Sequence, residues 1–366
     1  MACSANKSGS GKVDPEILQK LTTKYVLLQK SDSKSLTKKY LTQELFEKLK
    51  EKKTKYNMTL LDCIATVLDN HDSSVGLYAP CPDSYDVFGD LFDIVIEDYH
   101  IGFPKSAVHP PMDWGEASDL QNIDPNGKYV ISTRVRTARS LKDYPFNPGL
   151  SEEQYKEIET KVTCALCQLT GDLRGQYQPL YEMSDDEMNK LIDDHILFKG
   201  GDRFLESANA YRYWPNARGV FTNPPKTFIV WVNEEDHMRI ISLQQGGDLA
   251  GVYKRLADAV KELDRRLEFC KHKRFGYLSM CPTNIGTGIR ASVHIKLPKM
   301  SQNEAKLNEI AGRLNLQIRG TGGEHTESKG GVLDISNKRR LGVTEKEVIK
   351  EMFNGIQELI QLEEKS

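Results

Sequence analysis

The sequence predicts an α+β protein with a smaller helical N-terminal part and a larger part in which strands alternate with helices. Three observations predict it. Apolar residues recur at helical spacing through residues 14–70, as in Ile17, Leu18, Leu21 and Tyr25. Beyond Tyr129 the apolar period changes to two, in YVISTRVR, TFIVWVNEEDHMRIISL and IRASVHIKL. Between these parts, residues 101–128 are rich in Pro and Gly and lack periodicity, as a linker does. The expected boundaries are a disordered lead-in at 1–13, a helical domain at 14–100, the linker at 101–128 and an α/β domain at 129–366.

In chain order, Asp14 is a cap and Pro15 suits a first helical position. Leu45 and Leu49, then Leu60, Leu61, Ile64, Val67 and Leu68, continue the helical pattern. DNHDSSVGLYAPCP (69–82) breaks it as a loop, and a helix resumes over Tyr85–Asp98. In Tyr129–Arg136, one strand face carries Tyr129, Ile131, Thr133 and Val135, and the other carries Ser132, Arg134 and Arg136. Two arginines at i and i+2 stand about 7 Å apart, a spacing that suits adjacent phosphates. Ser151 caps a helix to about Thr170. Its Cys164 and Cys167 lack the further ligands of a zinc site and read as ordinary helix thiols. A helix near Ser184 places His195 at or beyond its end.

Thr227–Leu243 reads as a hairpin with Glu234, Glu235 and Asp236 at its tip and Arg239 entering the return strand. A solvated turn is the default for such a tip, but the nearby arginine favours a binding site. A helix over Asp248–Phe269 leads to Phe275–Leu297, read as a strand, a turn bearing Cys281, and a second strand. There Ile289, Ala291, Val293, Ile295 and Leu297 alternate with Arg290, Ser292, His294 and Lys296. A helix over Asn303–Leu314 precedes Arg319, on the polar phase of a strand end. The stretch Gly320–Gly331 reads as a mobile lid, and a last amphipathic helix runs from Thr344 or Glu345 to Leu362.

The totals exclude several classes. Lys plus Arg number 50 against 52 for Asp plus Glu, so the net charge of −2 gives no pull toward nucleic acid or a membrane surface. No apolar run approaches a membrane span, and MACSANKSGSGK lacks the apolar centre of a secretory signal. Seven scattered cysteines fit the reduced thiols of a cytoplasmic protein. SGSGK fails as a P-loop, having Asn6 and Val13 where Gly and Ser or Thr are required, and GTGIRA opens a strand rather than the helix of a dinucleotide fingerprint.

The strand arginines remain. Arg134, Arg136, Arg239, Arg290 and Arg319, with His294, occupy polar strand phases and face one side if their strands share one antiparallel sheet; His195 joins them from its helix end. Such a cluster repels itself when empty and calls for a polyanion; a nucleoside triphosphate undergoing phosphoryl transfer fits. Glu235, Glu324 and Cys281, on three loops, suit a planar guanidinium cation, with the cysteine as thiolate.

These segments resemble the phosphagen (guanidino) kinases: CPTNIGTGIR, VWVNEEDH, STRVR, RGTGGEHTES and DISNKRR match across essentially the whole chain. The resemblance implies a small helical N-terminal domain and a larger domain with an eight-stranded antiparallel sheet flanked by helices. It implies reversible transfer of the γ-phosphoryl group of ATP to a guanidino nitrogen, an energy-buffering reaction. Mg2+ would enter with the nucleotide, held by phosphate oxygens and water, so no protein metal ligand is expected. Glu235 and Glu324 would clamp the guanidinium and Cys281 would touch it. The five arginines, with Ser132, Ser292, Val293, Gly320, Thr321 and Gly323, would bind the nucleotide, with His195 and His294 near base and ribose.

SSVGLYAP resembles the specificity loop of arginine kinases, so Ser73, Ser74, Val75, Gly76 and Tyr78 would receive the carboxylate end of L-arginine. Glu324-His325-Thr326 points the same way. Ser74 in place of Gly departs from that pattern, while Gly322 and NIGTGIR look more like creatine kinases, which leans the expectation to a homodimer. Asp72 and Arg203 match a pair that joins the two domains on closure. A creatine kinase, a kinase of another guanidino compound or of protein arginine, and a non-catalytic nucleotide-binding protein are the alternatives.

Overall fold

The helical periodicity of the N-terminal part resolves into six helices separated by short breaks: α1 (Pro15–Lys30), α2 (Leu36–Tyr40), α3 (Gln43–Leu49), α4 (Leu60–Asp69), α5 (Ser84–Val87) and α6 (Gly89–Tyr99). The computed structural model describes residues 12–116, 120–319 and 331–365. The expected lead-in lies outside these except for Lys12 and Val13, and Val13 is buried. Asp14 caps α1, accepting from the Glu16 amide at 2.8 Å with Pro15 in the first turn.

The larger part contains β1 (Val130–Arg139), α7 (Glu152–Leu166), β2 (Gln176–Pro179), α8 (Asp185–Asp193), α9 (Arg203–Ser207), β3 (Gly219–Thr222), β4 (Phe228–Val232) and β5 (Met238–Gln245). It continues with α10 (Leu249–Asp264), β6 (Lys271–His272), β7 (Gly276–Tyr277), β8 (Arg290–Lys296), α11 (Glu304–Arg313), β9 (Leu316–Arg319), β10 (Val332–Asn337) and α12 (Glu345–Lys365). Eight strands form one antiparallel sheet in the order β2-β3-β4-β5-β1-β8-β10-β9. This is the α+β architecture expected. One sheet face, with Val135, Val230, Ile240, Ala291, Val293 and Ile335, packs against α7, α10 and α12 in the main core. Burial of that apolar face, at roughly 25 cal/mol per Å² removed from water, is what holds the sheet.

Three local expectations change. The strand before Cys281 shrinks to β7, whose two residues pair with β6 outside the main sheet and bridge to Gly286. The helix after Asp248 ends at Asp264, five residues before Phe269. In β1 the register shifts between Val130 and Ser132, so Val130 is buried and Ile131 is exposed. A bulge adds a residue and inverts the alternation before it, so strict period two misplaced Ile131.

A second core joins the N-terminal helices to the segment that leads into β8. It contains Leu60, Ile64 and Val67 of α4 together with Phe275, Leu278, Met280, Ile285 and Leu341. The Ala79 amide donates to the Met280 carbonyl at 2.7 Å, which fixes loop 70–80 beside the turn bearing Cys281. Residues 101–116 and 120–128 carry no helix or strand and are pinned at intervals. The His109 amide donates to Arg274 O at 2.8 Å, and Asp124 accepts from the Tyr129 and Val130 amides at 2.7 Å.

Candidate active site

Register places the arginines on one sheet face. Arg136 stands directly opposite Arg290, Arg134 opposite Ser292, Ser132 opposite His294, and Asp334 of β10 opposite both His294 and Arg319. Arg239 enters from β5, one strand further, paired with Ala138 and Trp231. Directly opposed like charges destabilise a sheet. Two of the cations are offset: Arg290 Nη2 donates to Asp334 Oδ2 at 2.7 Å, and Arg239 is held by Glu234 and Glu235. Arg134 and Arg136 have no carboxylate partner among the described residues. Burial and the neighbouring arginines pull Arg136 well below its ordinary range, and the same causes bring Arg134 to about 10. The sheet therefore holds two desolvated cations that no carboxylate pairs among the described residues, a ready anion site.

A cleft of about 440 Å³ lies over this face, lined by Arg134, Arg136, Arg290 and Arg319 at one side and His195, His294 and Ser132 at the other. His195 is exposed, two residues past α8, with φ +59. Burial lowers the pKa of His294, so a neutral ring faces the cleft. Ser292 lines it as well. Val293 does not: its side chain is fully buried on the opposite face, in the main core. Strand alternation turns that side chain away from the cleft, so only the main chain of Val293 can border a nucleotide.

An adjoining pocket of about 400 Å³ shares Arg136 and Arg319 with the first. Its walls bring together Glu234 and Glu235, Cys281, and the loop Ser73–Tyr78. The acidic hairpin tip is not the solvated turn that three adjacent carboxylates suggest by default, because Glu234 and Asp236 are buried. Asp236 Oδ1 accepts from the Met280 amide at 2.9 Å, tying the tip to the cysteine turn, and burial with Glu235 nearby raises its pKa to about 7. Glu234 accepts from Arg239 Nη1 at 2.8–2.9 Å and from the Glu235 amide at 2.7 Å. Glu235 Oε1 accepts from Asn284 Nδ2 at 2.7 Å, and Asn284 Oδ1 in turn accepts from Arg340.

Cys281 Sγ lies 3.1 Å from Thr283 Oγ1. In the empty pocket, burial and the Glu235 charge push its pKa up to about 12, against the pull of Thr283. Burial and Glu235 thus favour the protonated thiol while no cation is bound, and the expected thiolate belongs to the substrate-bound state. The thiol's nearest charge is a carboxylate, and only an arriving cation reverses that balance.

Loop Ser73–Tyr78 is built around α4. Gly76 has φ +73, and a Cβ there would fall 2.6 Å from Val67 Cβ, so the loop presses its backbone on the helix. The Ser74 and Val75 carbonyls accept from the Leu36 and Thr37 amides at 3.0 Å, whereas among the described residues the Ser74, Val75 and Gly76 amides have no acceptor. Free amides on a pocket wall suit a carboxylate. Asp72 and Arg203 form a two-pronged ion pair, with Nη1 2.9 Å from Oδ1.

Glu324, Gly320, Thr321 and Gly323, with the lid expected at Gly320–Gly331, lie outside the described residues except for Gly331. Sequence reasoning passed over Arg340, Asn284 and Asp334 as site residues. Arg340 and Asp334 stand inside segments it singled out, but neither charge nor phase distinguishes them before the fold brings β10 beside β8. Among the described residues no group of three or more His, Cys, Asp or Glu side chains could hold a metal ion. No helix among them is long and apolar enough to cross a membrane.

Comparison with known proteins agrees with this geometry. Residues 31–97 match the ATP:guanido phosphotransferase N-terminal domain, and residues 157–366 match the C-terminal catalytic domain of the same family. The chain is 59% identical over 352 residues to the arginine kinase of Schistocerca americana and 58% identical to arginine kinase 1 of Drosophila melanogaster, covering 96% of this chain and 99% of each relative. Among solved structures, lombricine kinase superposes with a TM-score of 0.84 at 37% identity, covering 92% of this chain and 95% of that one. The duplicated taurocyamine kinase of Schistosoma mansoni, with bound transition-state analogue components, gives 0.89 at 42% identity; 94% of this chain spans about half of that one (48%). With an arginine-lined cleft beside an acid- and thiol-lined pocket, and both family domains matched, this chain belongs to the ATP:guanido phosphotransferase family.

Proposed function

We propose that the chain catalyses reversible transfer of the γ-phosphoryl group of MgATP to the guanidino group of L-arginine, giving phosphoarginine and MgADP. The observation that carries this reading is the pair of adjoining pockets sharing Arg136 and Arg319, one cationic and one acidic. Relatives named arginine kinase at 56–59% identity support the choice of acceptor.

In this reading Arg134, Arg136, Arg239, Arg290 and Arg319 hold the phosphates, Ser132 and Ser292 flank them, and His195 and His294 border base and ribose. Glu235 and Glu324 clamp the guanidinium through paired charge-assisted hydrogen bonds. The Ser74–Gly76 amides take the carboxylate, Ser73 stands beside them and Tyr78 closes the wall. A guanidino nitrogen forms the new N–P bond as the bond from phosphorus to the β–γ bridging oxygen breaks. The guanidinium proton leaves toward a glutamate. The acceptor's positive charge favours Cys281 thiolate, which then holds that charge in place. Most of the rate gain comes from alignment and from cations preset around the transferring group.

Mg2+ fits as a partner of the phosphates rather than of the protein, since the pocket carboxylates Glu234 and Glu235 are engaged by Arg239 and Asn284. When bound it would supply positive charge to neutralise the phosphate oxygens. Residues 14–100 act as the acceptor-specificity domain, 101–128 as the linker and 129–366 as the catalytic, nucleotide-binding domain of a cytoplasmic homodimer. A coupled assay with MgATP and a panel of guanidino compounds tests the reading: L-arginine must be turned over faster than creatine. Sedimentation tests the subunit count.

A further inference from the structure

We propose that Asn70 is a positioning residue for the acceptor pocket, a buried clasp that sets the distance between the specificity loop and α9. The inference rests on the functional reading above. Asn70 caps the C-terminus of α4 and begins the loop that continues to Tyr78. Only 8% exposed, it turns its side-chain amide in two directions. Nδ2 donates to Thr66 O at 3.1 Å within its own helix, and across the cleft to Ser207 Oγ at 3.0 Å with Arg203 O at 3.4 Å sharing its hydrogens. Oδ1 accepts from Arg203 Nη1 at 3.2 Å. The Arg203 guanidinium is therefore shared between buried Asn70 and exposed Asp72.

Both sides of this clasp carry acceptor-pocket wall. Thr66 and loop residues 72–78 line it from the α4 side, and Asp202 and Phe204 line it from α9. Asp202 caps α9 through the Phe204 and Leu205 amides, and Ser207 Oγ donates to Phe204 O at 3.0 Å, so α9 moves as one piece. The Asp72 and Arg203 side chains are 64% and 56% exposed, where salt screens an ion pair. The Asn70 contacts are uncharged on one side and shielded, so they hold at any ionic strength. A side-chain amide that donates to both helices while accepting from one of them fixes direction as well as distance, which a lone ion pair does not.

Steady-state kinetics on the full chain test this. Asn70→Ala is expected to raise KM for L-arginine about tenfold while kcat and KM for MgATP stay within about threefold, because the nucleotide cleft is walled by other elements. The rise persists at about 1 M salt, where screening extends only about 3 Å, whereas any effect of Asp72→Ala shrinks there. Asn70→Asp, of equal size, loses the donor to Ser207 and is expected to raise KM for L-arginine without lowering the melting temperature by more than a few degrees. Ser207→Ala combined with Asn70→Ala is expected to give less than the product of the single effects. An unchanged KM for L-arginine with only a fall in melting temperature, or equal rises for both substrates, overturns the clasp alone. A wild type without turnover of L-arginine overturns the functional reading, and the clasp with it.

Discussion

Arg239 is gripped by two consecutive carboxylates, with Nη1 2.8 Å from Glu234 Oε2 and Nη2 3.4 Å from Glu235 Oε1. All three side chains are largely buried, so the guanidinium is costly to lose and is committed in advance to its place beside the cleft. Arg239→Lys keeps the charge but not the fork. Turnover should fall about 100-fold, in the range of other preset oxyanion donors, while the melting temperature drops only a few degrees. Arg239→Ala should also destabilise by about 3 kcal/mol, because Glu234 is then buried and unpaired. Kinetics and thermal melts of the two variants, read side by side, check this.

Arg136 presents the opposite case. Its charge is half-buried opposite Arg290 without a carboxylate partner among the described residues, so the empty protein carries repulsion there. Arg136→Met should stabilise the nucleotide-free chain by about 1 kcal/mol. It should also abolish the thermal stabilisation that ATP gives the wild type through linkage. A variant less stable than wild type in the absence of ligand would contradict the picture of stored repulsion.

Cys281→Ala separates chemistry from packing. The thiol makes one hydrogen bond, to Thr283, and its loss should cost at most about 1 kcal/mol of stability. Turnover with L-arginine should fall between about 10- and 100-fold. Equal proportional losses of stability and turnover would assign the cysteine a packing role only.

Acid stability should carry the signature of His237. Its Nδ1 accepts from the Leu141 amide at 2.9 Å and its Nε2 lies 3.0 Å from the Pro145 carbonyl, an arrangement that needs the neutral ring. Burial lowers its pKa to about 4 from the ordinary 6.5. A depressed pKa means that the unfolded chain binds this proton first as pH falls. The histidine's contribution is thus complete above pH 6.5 and is lost toward pH 4, by about 3 kcal/mol for a shift of that size. Denaturant midpoints of wild type and His237→Gln across this window should differ in slope by about one proton.

Much of the site was legible because its arginines sit at strand phases that period two exposes in any sequence. Arg134, Arg136 and Arg290 needed only the alternation, and the apolar partners of Arg290 are all in the core. What the linear text could not carry was order across the sheet. Nothing near Asp334 says that its strand lies beside β8, where its carboxylate meets Arg290. Ile131 was misplaced because a bulge leaves no mark in composition. Val293 followed its motif into the nucleotide site although its own phase pointed its side chain to the core. The surroundings of Cys281 were hidden in the same way, because Glu235, whose charge raises the thiol's pKa in the empty pocket, arrives from a hairpin 46 positions earlier.

Gly76 sets a boundary on how this fold changes its acceptor. With φ +73 and no room for a β-carbon against Val67, the position accepts no other residue unless α4 is remodelled with it. Descendants that come to prefer a longer or shorter guanidino compound must therefore vary residues 73–75 or the number of residues in the turn. The backbone hinge behind them would pass unchanged from one specificity to the next.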